Sequence, residues 1–139
     1  MSQRAEVLII GGGSTGTAIA FYLAKKGLSK VTLVEKRRIA WGQTGLSTAI
    51  VRLHYSNEVV ARLAQLSHRV FECFDHEVGG QSGFRKAGFA IGVAEADVPG
   101  LQANVQMQQG VGINTRLIRP TELREIEPLL VAWVPCAVC

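Results

Sequence analysis

Four consecutive apolar residues, Val7-Leu8-Ile9-Ile10, begin the regular pattern of the chain. A run that is apolar at every position predicts a strand covered on both faces, as in a parallel sheet. Gly11-Gly12-Gly13 breaks it. From Ser14 the apolar positions Ala18, Phe21 and Tyr22 fall at helical spacing. Lys25-Lys26 followed by Gly27 predicts the helix stop, with cations at the negative end of the helix dipole and then a residue free to turn left-handed. Val31-Thr32-Leu33-Val34 predicts a second strand, ending on Glu35. Strand, helix and strand in this order form a βαβ unit with parallel strands.

Residues 36–56 are rich in Gly, Ser and Thr and predict an extended loop. Ser56-Asn57 can cap a helix, and Val59, Val60, Leu63, Leu66, Val70, Phe71 and Phe74 follow at helical spacing. This predicts one helix through Glu77, its apolar stripe packed in a core, His68 and His76 on its polar side, and Cys73 buried as a small apolar residue. Phe84 to Val93 predicts a strand pair or a bent strand around Gly88. Residues 97–109 predict a helix closed by Gly110, Thr115 to Ile118 a short strand, and Pro120 onward a short helix stopped by Pro128. There is no internal repeat. The segment Val131 to Cys139 is apolar and lacks turn or cap chemistry, so it reads as an interrupted element.

Composition narrows the class. The 139 residues are 47% hydrophobic and 19% charged, enough to bury a core as one domain and too apolar for disorder. The net charge of +4 is scattered apart from Lys25-Lys26 and Lys36-Arg37-Arg38. No basic stripe with interleaved aromatics exists, so nucleic acid is not an expected partner. No run approaches the roughly 18 apolar residues of a membrane span. The N-terminus enters a strand without the features of a signal peptide, so a cytoplasmic location is expected. The three cysteines are then expected to be reduced thiols. Cys136 and Cys139 have C-x-x-C spacing but lack a second ligand pair, and no metal site is expected.

The chemistry sits where the first strand meets the first helix. Gly11-Gly12-Gly13-Ser14-Thr15-Gly16 fits G-x-G-x-x-G. Gly11 permits the tight turn, Gly13 lets backbone approach a pyrophosphate, and Gly16 lets the helix pack closely on the strand. The helix N-terminus adds unpaired N–H groups and a partial positive charge. Glu35 lies 19 positions past Gly16, at the end of the second strand, where a carboxylate can accept hydrogen bonds from ribose hydroxyls and would repel a 2′-phosphate. These features predict dinucleotide binding and leave NAD and FAD open. A nicotinamide enzyme usually continues with another helix and strand. Residues 40–49 instead form a glycine- and hydroxyl-rich segment.

The glycine motif, Val31 to Glu35, Gly42-Gln43-Thr44-Gly45-Leu46-Ser47 and Ile50-Val51-Arg52 together resemble the FAD-dependent amine and amino-acid oxidoreductases. That family includes D-amino-acid oxidase, glycine oxidase, sarcosine oxidase and dimethylglycine dehydrogenase. The step Ile50-Val51-Arg52 followed by His54 and Tyr55 is most similar to sarcosine-oxidase-like members. The resemblance covers about residues 5–128. It implies FAD as cofactor, a small amine or amino acid as substrate, and oxygen or another acceptor for the electrons. Hydride would pass from the carbon bearing the amine to flavin N5, leaving an imine. It implies that Gly11, Gly13, Ser14, Thr15 and Gly16 hold the pyrophosphate and Glu35, with Lys36 beside it, the adenosine ribose. Gln43, Thr44, Gly45, Leu46 and Ser47 would line the path toward the flavin ring. Arg52 would be the catalytic cation near the flavin, with His54 a weaker candidate. A structural role for Arg52, bridging loop carbonyls, stays open beside it.

The fold class expected is α/β: a Rossmann-like βαβ FAD-binding domain with a parallel sheet, plus the start of an α+β substrate domain, incomplete. Residues 1–80 would be the N-terminal part of the FAD-binding domain, 81–128 the start of the substrate domain, and 129–139 an aberrant or truncated tail. Such a fragment is expected to be inactive alone. Two other functions stay open, an NAD-dependent dehydrogenase and a non-catalytic nucleotide-binding or interaction subunit.

Overall fold

A computed structural model describes residues 4–129 and 136–138. The chain divides into two compact units, Met1–Ile50 and Val51–Cys139. The expected boundary at residue 80 therefore falls inside the second unit.

The first unit is the βαβ motif. Strand β1 (Val7–Ile10) pairs in parallel with β2 (Val31–Val34), Val7 opposite Val31 and Ile10 opposite Val34. Helix α1 (Ser14–Lys25) joins them. Gly11 N–H donates to the Val34 carbonyl at 2.8 Å, which carries the pairing one residue past β1. The Lys26 N–H bonds back to Tyr22, and Gly27 takes φ +92°, the left-handed stop that the sequence predicts. Burial departs from expectation. Ile9 is buried, whereas its neighbours Leu8 and Ile10 are exposed. Side chains alternate across a strand, and within this unit α1 covers only one face of a two-stranded sheet.

The second unit packs helices on an antiparallel sheet. Its order is β3-β5-β4, with β3 at Ala90–Gly92, β4 at Arg116–Ile118 and β5 at Cys136–Val138. Ala137 lies between Ile91 and Leu117 in register. Leu101 and Val105 of helix α4 (Val98–Gly110) pack on Ala137 with Ile91 and Val93. Ile118 packs with Leu123 of helix α5 (Pro120–Ile126), against Ala90 and Val138. Helix α2 (Glu58–Glu72) is capped by Asn57, whose side-chain oxygen accepts from Val60 N–H at 3.1 Å. Gln65 ties α2 to the end of α4 through the Gly112 carbonyl at 3.1 Å.

Several expectations need correction here. The helix expected through Glu77 breaks at Cys73, which leaves helical geometry (φ −116°, ψ 33°), and a short α3 (Phe74–Glu77) follows. Cys73 is exposed, not buried. His68 is not on a polar face. Its ring meets Phe84 edge-on at 5.3 Å, and its Nδ1 lies 3.3 Å from Glu72, since the loop after α3 folds back over α2. The expected strand pair over Phe84 to Val93 shrinks to β3, with Gly88 in positive φ just ahead of it. The apolar stripe of α2 is not a core. Ala61 is buried, but Val59, Leu63 and Leu66 are exposed. Helical spacing says that a face is apolar, not that a partner lies within the same unit. Last, Cys136–Val138 is not an aberrant stretch but the central strand of the second sheet. The Cys139 end of the C-x-x-C pair lies outside the described residues.

Candidate functional site

The glycine turn has no room for side chains at Gly12 and Gly16. A Cβ on Gly16 would collide with the Gly11 carbonyl oxygen, and one on Gly12 would lie 2.6 Å from Ile39 Cδ1 and 3.1 Å from Glu35 Cβ. Gly11 itself takes φ +110°, open to glycine at no steric cost. Helix α1 therefore starts flush against the end of β1.

Its N-terminus is only partly satisfied. No side chain of the N-cap residue, Gly13, is available. Ser14 N–H donates instead to Thr44 Oγ1 at 2.9 Å, from the far side of the loop, and the Thr44 hydroxyl leans back on Ser14 Oγ at 3.4 Å. Thr17 N–H donates to the Gly13 carbonyl, the first helical bond. The N–H groups of Thr15 and Gly16 have no acceptor among the described residues. Free donors at the positive end of a helix dipole, with no Cβ in front of them, form an anion seat.

Glu35 closes the other side. Its Oε2 accepts from Gly12 N–H at 2.8 Å and its Oε1 from Arg37 N–H at 2.9 Å. The Gly12 bond above all, then the Arg37 bond and the Lys36 charge, holds this carboxyl below its ordinary 4.5. It is thus a fixed anion at neutral pH. Each oxygen keeps further acceptor capacity, which suits a vicinal diol such as a ribose. Ala40 N–H donates to the Gly12 carbonyl at 2.8 Å, so the loop after Glu35 is bound to the same turn. Gly13, Ser14, Glu35 and Thr44 are brought together by these bonds. Lys36, Gln43, Leu46 and Ser47 are exposed, and Lys36 makes no hydrogen bond to the glycine turn among the described residues. Residues 42–47 form successive tight turns, Gly45 N–H to Gly42, Leu46 N–H to Gln43 and Ser47 N–H to Thr44. Gly45 has to be glycine, since a Cβ there would meet the Ala40 carbonyl oxygen.

Arg52 belongs to the second unit. It lines an open cleft of about 470 Å³ with His54, Tyr55, Ser56, Asp97 and Asn104 over an apolar floor that includes Ile91 and Leu101. Its guanidinium lies 5.2 Å from the Tyr55 ring centre and 5.9 Å from that of Phe89. Both rings stand within cation–π reach of its charge. His54 is buried, and desolvation first, then the Arg52 charge, pushes its imidazole below the ordinary 6.5. Reading the sequence missed two residues. Gly12, inside the same glycine triplet, is what bonds Glu35. Gln108, fully buried on α4, donates from Nε2 to the Tyr55 carbonyl at 2.9 Å. A polar residue in the middle of a helix carries no sign in sequence that it will be buried. Among the described residues no helix is long and apolar enough to cross a membrane.

Known proteins resemble this chain along nearly its whole length. It is 30% identical over 132 residues to the pyruvate dehydrogenase phosphatase regulatory subunit of Mus musculus, covering 94% of this chain and 15% of that protein. It is 27% identical over 130 residues to sarcosine oxidase subunit beta of Rhodobacter capsulatus, covering 92% of this chain and 31% of the relative. The fold matches L-proline dehydrogenase from P. horikoshii with a TM-score of 0.87 and 31% identity, over 99% of this chain and 37% of that structure. The chain thus spans between about a seventh and two fifths of these proteins' length. Residues 6–138 match the FAD dependent oxidoreductase (DAO) family, and the chain belongs to that FAD-dependent family.

Proposed function

We propose that this chain carries the ADP-binding half of an FAD site in an oxidoreductase that acts on a small amine or amino acid. One observation carries the reading: free N–H groups of Thr15 and Gly16 open beside a turn that excludes side chains at Gly12 and Gly16, with the Glu35 carboxylate fixed across from them. The pyrophosphate would rest on Gly11, Gly13, Ser14, Thr15 and Gly16, its charge met by the helix dipole. The ribose hydroxyls would donate to Glu35, and the same fixed charge disfavours a 2′-phosphate. Thr44, already at the helix start, would share its hydroxyl with the diphosphate. Gln43, Gly45, Leu46 and Ser47 would follow the cofactor toward its ring, and Lys36 would flank the ribose. When bound, the flavin supplies the hydride acceptor for oxidation of the carbon next to nitrogen. Arg52 would set a positive charge beside that chemistry, and oxygen or another acceptor would take the electrons. A cytoplasmic site of action belongs to the same reading. A polypeptide of these residues alone is expected to bind the cofactor weakly and not to turn over amines.

The test is competition. FAD bound to the full chain is followed by quenching of its fluorescence. ADP should displace it, riboflavin should not, and NAD should compete only through its ADP half. Displacement by riboflavin and not by ADP would overturn the assignment. A second reading is supported by the murine relative, whose name is that of a regulatory subunit. Here the same nucleotide seat would serve a non-catalytic subunit. Turnover of sarcosine by any protein that contains this chain, measured with the flavin bound, separates the two.

A further inference from the structure

Two non-glycine positions among the described residues take a left-handed backbone, Ala40 at φ +61° and Ala49 at φ +55°. A residue with a Cβ holds this conformation only where its surroundings impose it. Ala49 N–H donates to Ser47 Oγ at 3.1 Å, within its own loop. Ala40 instead meets the glycine turn. Its N–H donates to the Gly12 carbonyl at 2.8 Å, while the Gly12 N–H is held by Glu35 Oε2, also at 2.8 Å. The buried Gly12 is thus gripped at both of its polar atoms. The Ala40 carbonyl oxygen faces Gly45 so closely that no Cβ fits there.

Four residues past Ala40, Thr44 is half-buried, whereas Gln43 and Gly45 beside it are exposed. Its Oγ1 accepts from Ser14 N–H at 2.9 Å and would stand 3.1 Å from a Cβ on Gly13. The N-cap residue of α1 is glycine and has no side chain to meet that N–H itself. A right-handed or extended residue at position 40 would turn the following peptide away from Gly45, and Thr44 with it.

We propose that Ala40 is a positioning residue of the nucleotide seat: its left-handed backbone, clamped between the Gly12 carbonyl and Gly45, sets the Thr44 hydroxyl on the Ser14 N–H. Thr44 Oγ1 accepts from Ser14 N–H, and its O–H is left to donate, to Ser14 Oγ at 3.4 Å or to a phosphate oxygen. Ala40 acts through its backbone, so a residue that tolerates the left-handed region can replace it. Glycine and asparagine do so, and a β-branched residue does not. The functional weight of this rests on the nucleotide reading proposed above.

The experiment is amide hydrogen exchange of the free full chain by NMR, followed by titration with ADP. Wild type should show a protected Ser14 N–H, and Thr44→Val should lose that protection. Ala40→Gly and Ala40→Asn should keep it and bind ADP within about twofold of wild type. Ala40→Val should lose it and bind ADP about 10-fold more weakly. The Gly11 N–H, which bonds to the Val34 carbonyl, should stay protected in every variant, so that loss at Ser14 is separated from general unfolding. Should Ala40→Val fail to fold, Ala40→Leu makes the same test with a smaller loss. Ser14 protection kept in Ala40→Val, or lost in Ala40→Gly, would overturn the proposal. Failure of the wild-type chain to bind ADP would defeat the nucleotide reading and leave the exchange measurement standing.

Discussion

The two units hold themselves together by opposite means. In the first, Ile9 is the buried apolar side chain among the described residues, and the centre of the unit is made of backbone N–H groups, of Gly12 and Ser14, bonded to a carboxylate and a hydroxyl. In the second, Leu101, Val105, Ile113, Ile118, Leu123 and Ala137 exclude water in the ordinary way. One unit is shaped by the absence of side chains and the other by their presence. A surface built to receive a phosphate has to keep its donors free and its approach empty, so it forgoes the burial that stabilises its neighbour.

That contrast predicts different sensitivities. The largest is in the second unit. Leu101→Ala should cost about 2–5 kcal/mol in thermal or denaturant unfolding. ADP affinity of the folded chain should not change, because Leu101 takes part in no bond of the glycine turn. A parallel fall in affinity would break the distinction. In the first unit Gly16→Ala should weaken ADP binding roughly 100-fold, since overpacking against the Gly11 carbonyl costs about 1–3 kcal/mol before the seat is even restored. Gly42→Ala, whose Cβ meets nothing within 4 Å, is the matched control and should bind as wild type in the same calorimetric titration. Glu35→Gln should weaken ADP about 10-fold by removing a charged acceptor, with 2′-deoxy-ADP affected less than ADP. The smallest effect is acid sensitivity. His54 is held below 6.5, so the unfolded chain binds its proton more readily than the folded one does. Its contribution to stability is complete above 6.5 and is lost as pH falls below that value. Glu35 is held below 4.5, so its contribution is lost only on further acidification below 4.5. Melting temperatures across this range should therefore fall in two stages, the first abolished by His54→Phe.

The same contrast governs how much the sequence discloses. The βαβ unit was legible because its signals are local: glycines at fixed offsets, a strand apolar at every position and an acidic residue at the next strand's end. Even Thr44, which reaches Ser14 across 30 positions, lay in a segment marked by its glycines and hydroxyls. The second unit hides its decisive residues. Nothing local distinguishes Gln108 from the exposed Gln109's neighbours, because its burial depends on Tyr55 far back along the chain. The spacing of α2 correctly predicts an amphipathic helix, but its partner is not encoded in that spacing, and Leu63 and Leu66 stand exposed. Cys136–Val138 is too short to read as a strand until β3 and β4 are seen on either side.

The central position of β5 has a consequence for the order of events during synthesis. Val7 can meet Val31 as soon as one helix separates them, so the nucleotide-binding turn can form while the rest of the chain is still being made. Neither β3 nor β4 has β5 as its strand partner until residues 136–138 arrive between them. Until then their edges stand open, and this interval is when a nascent chain is most exposed to pairing with the wrong strand.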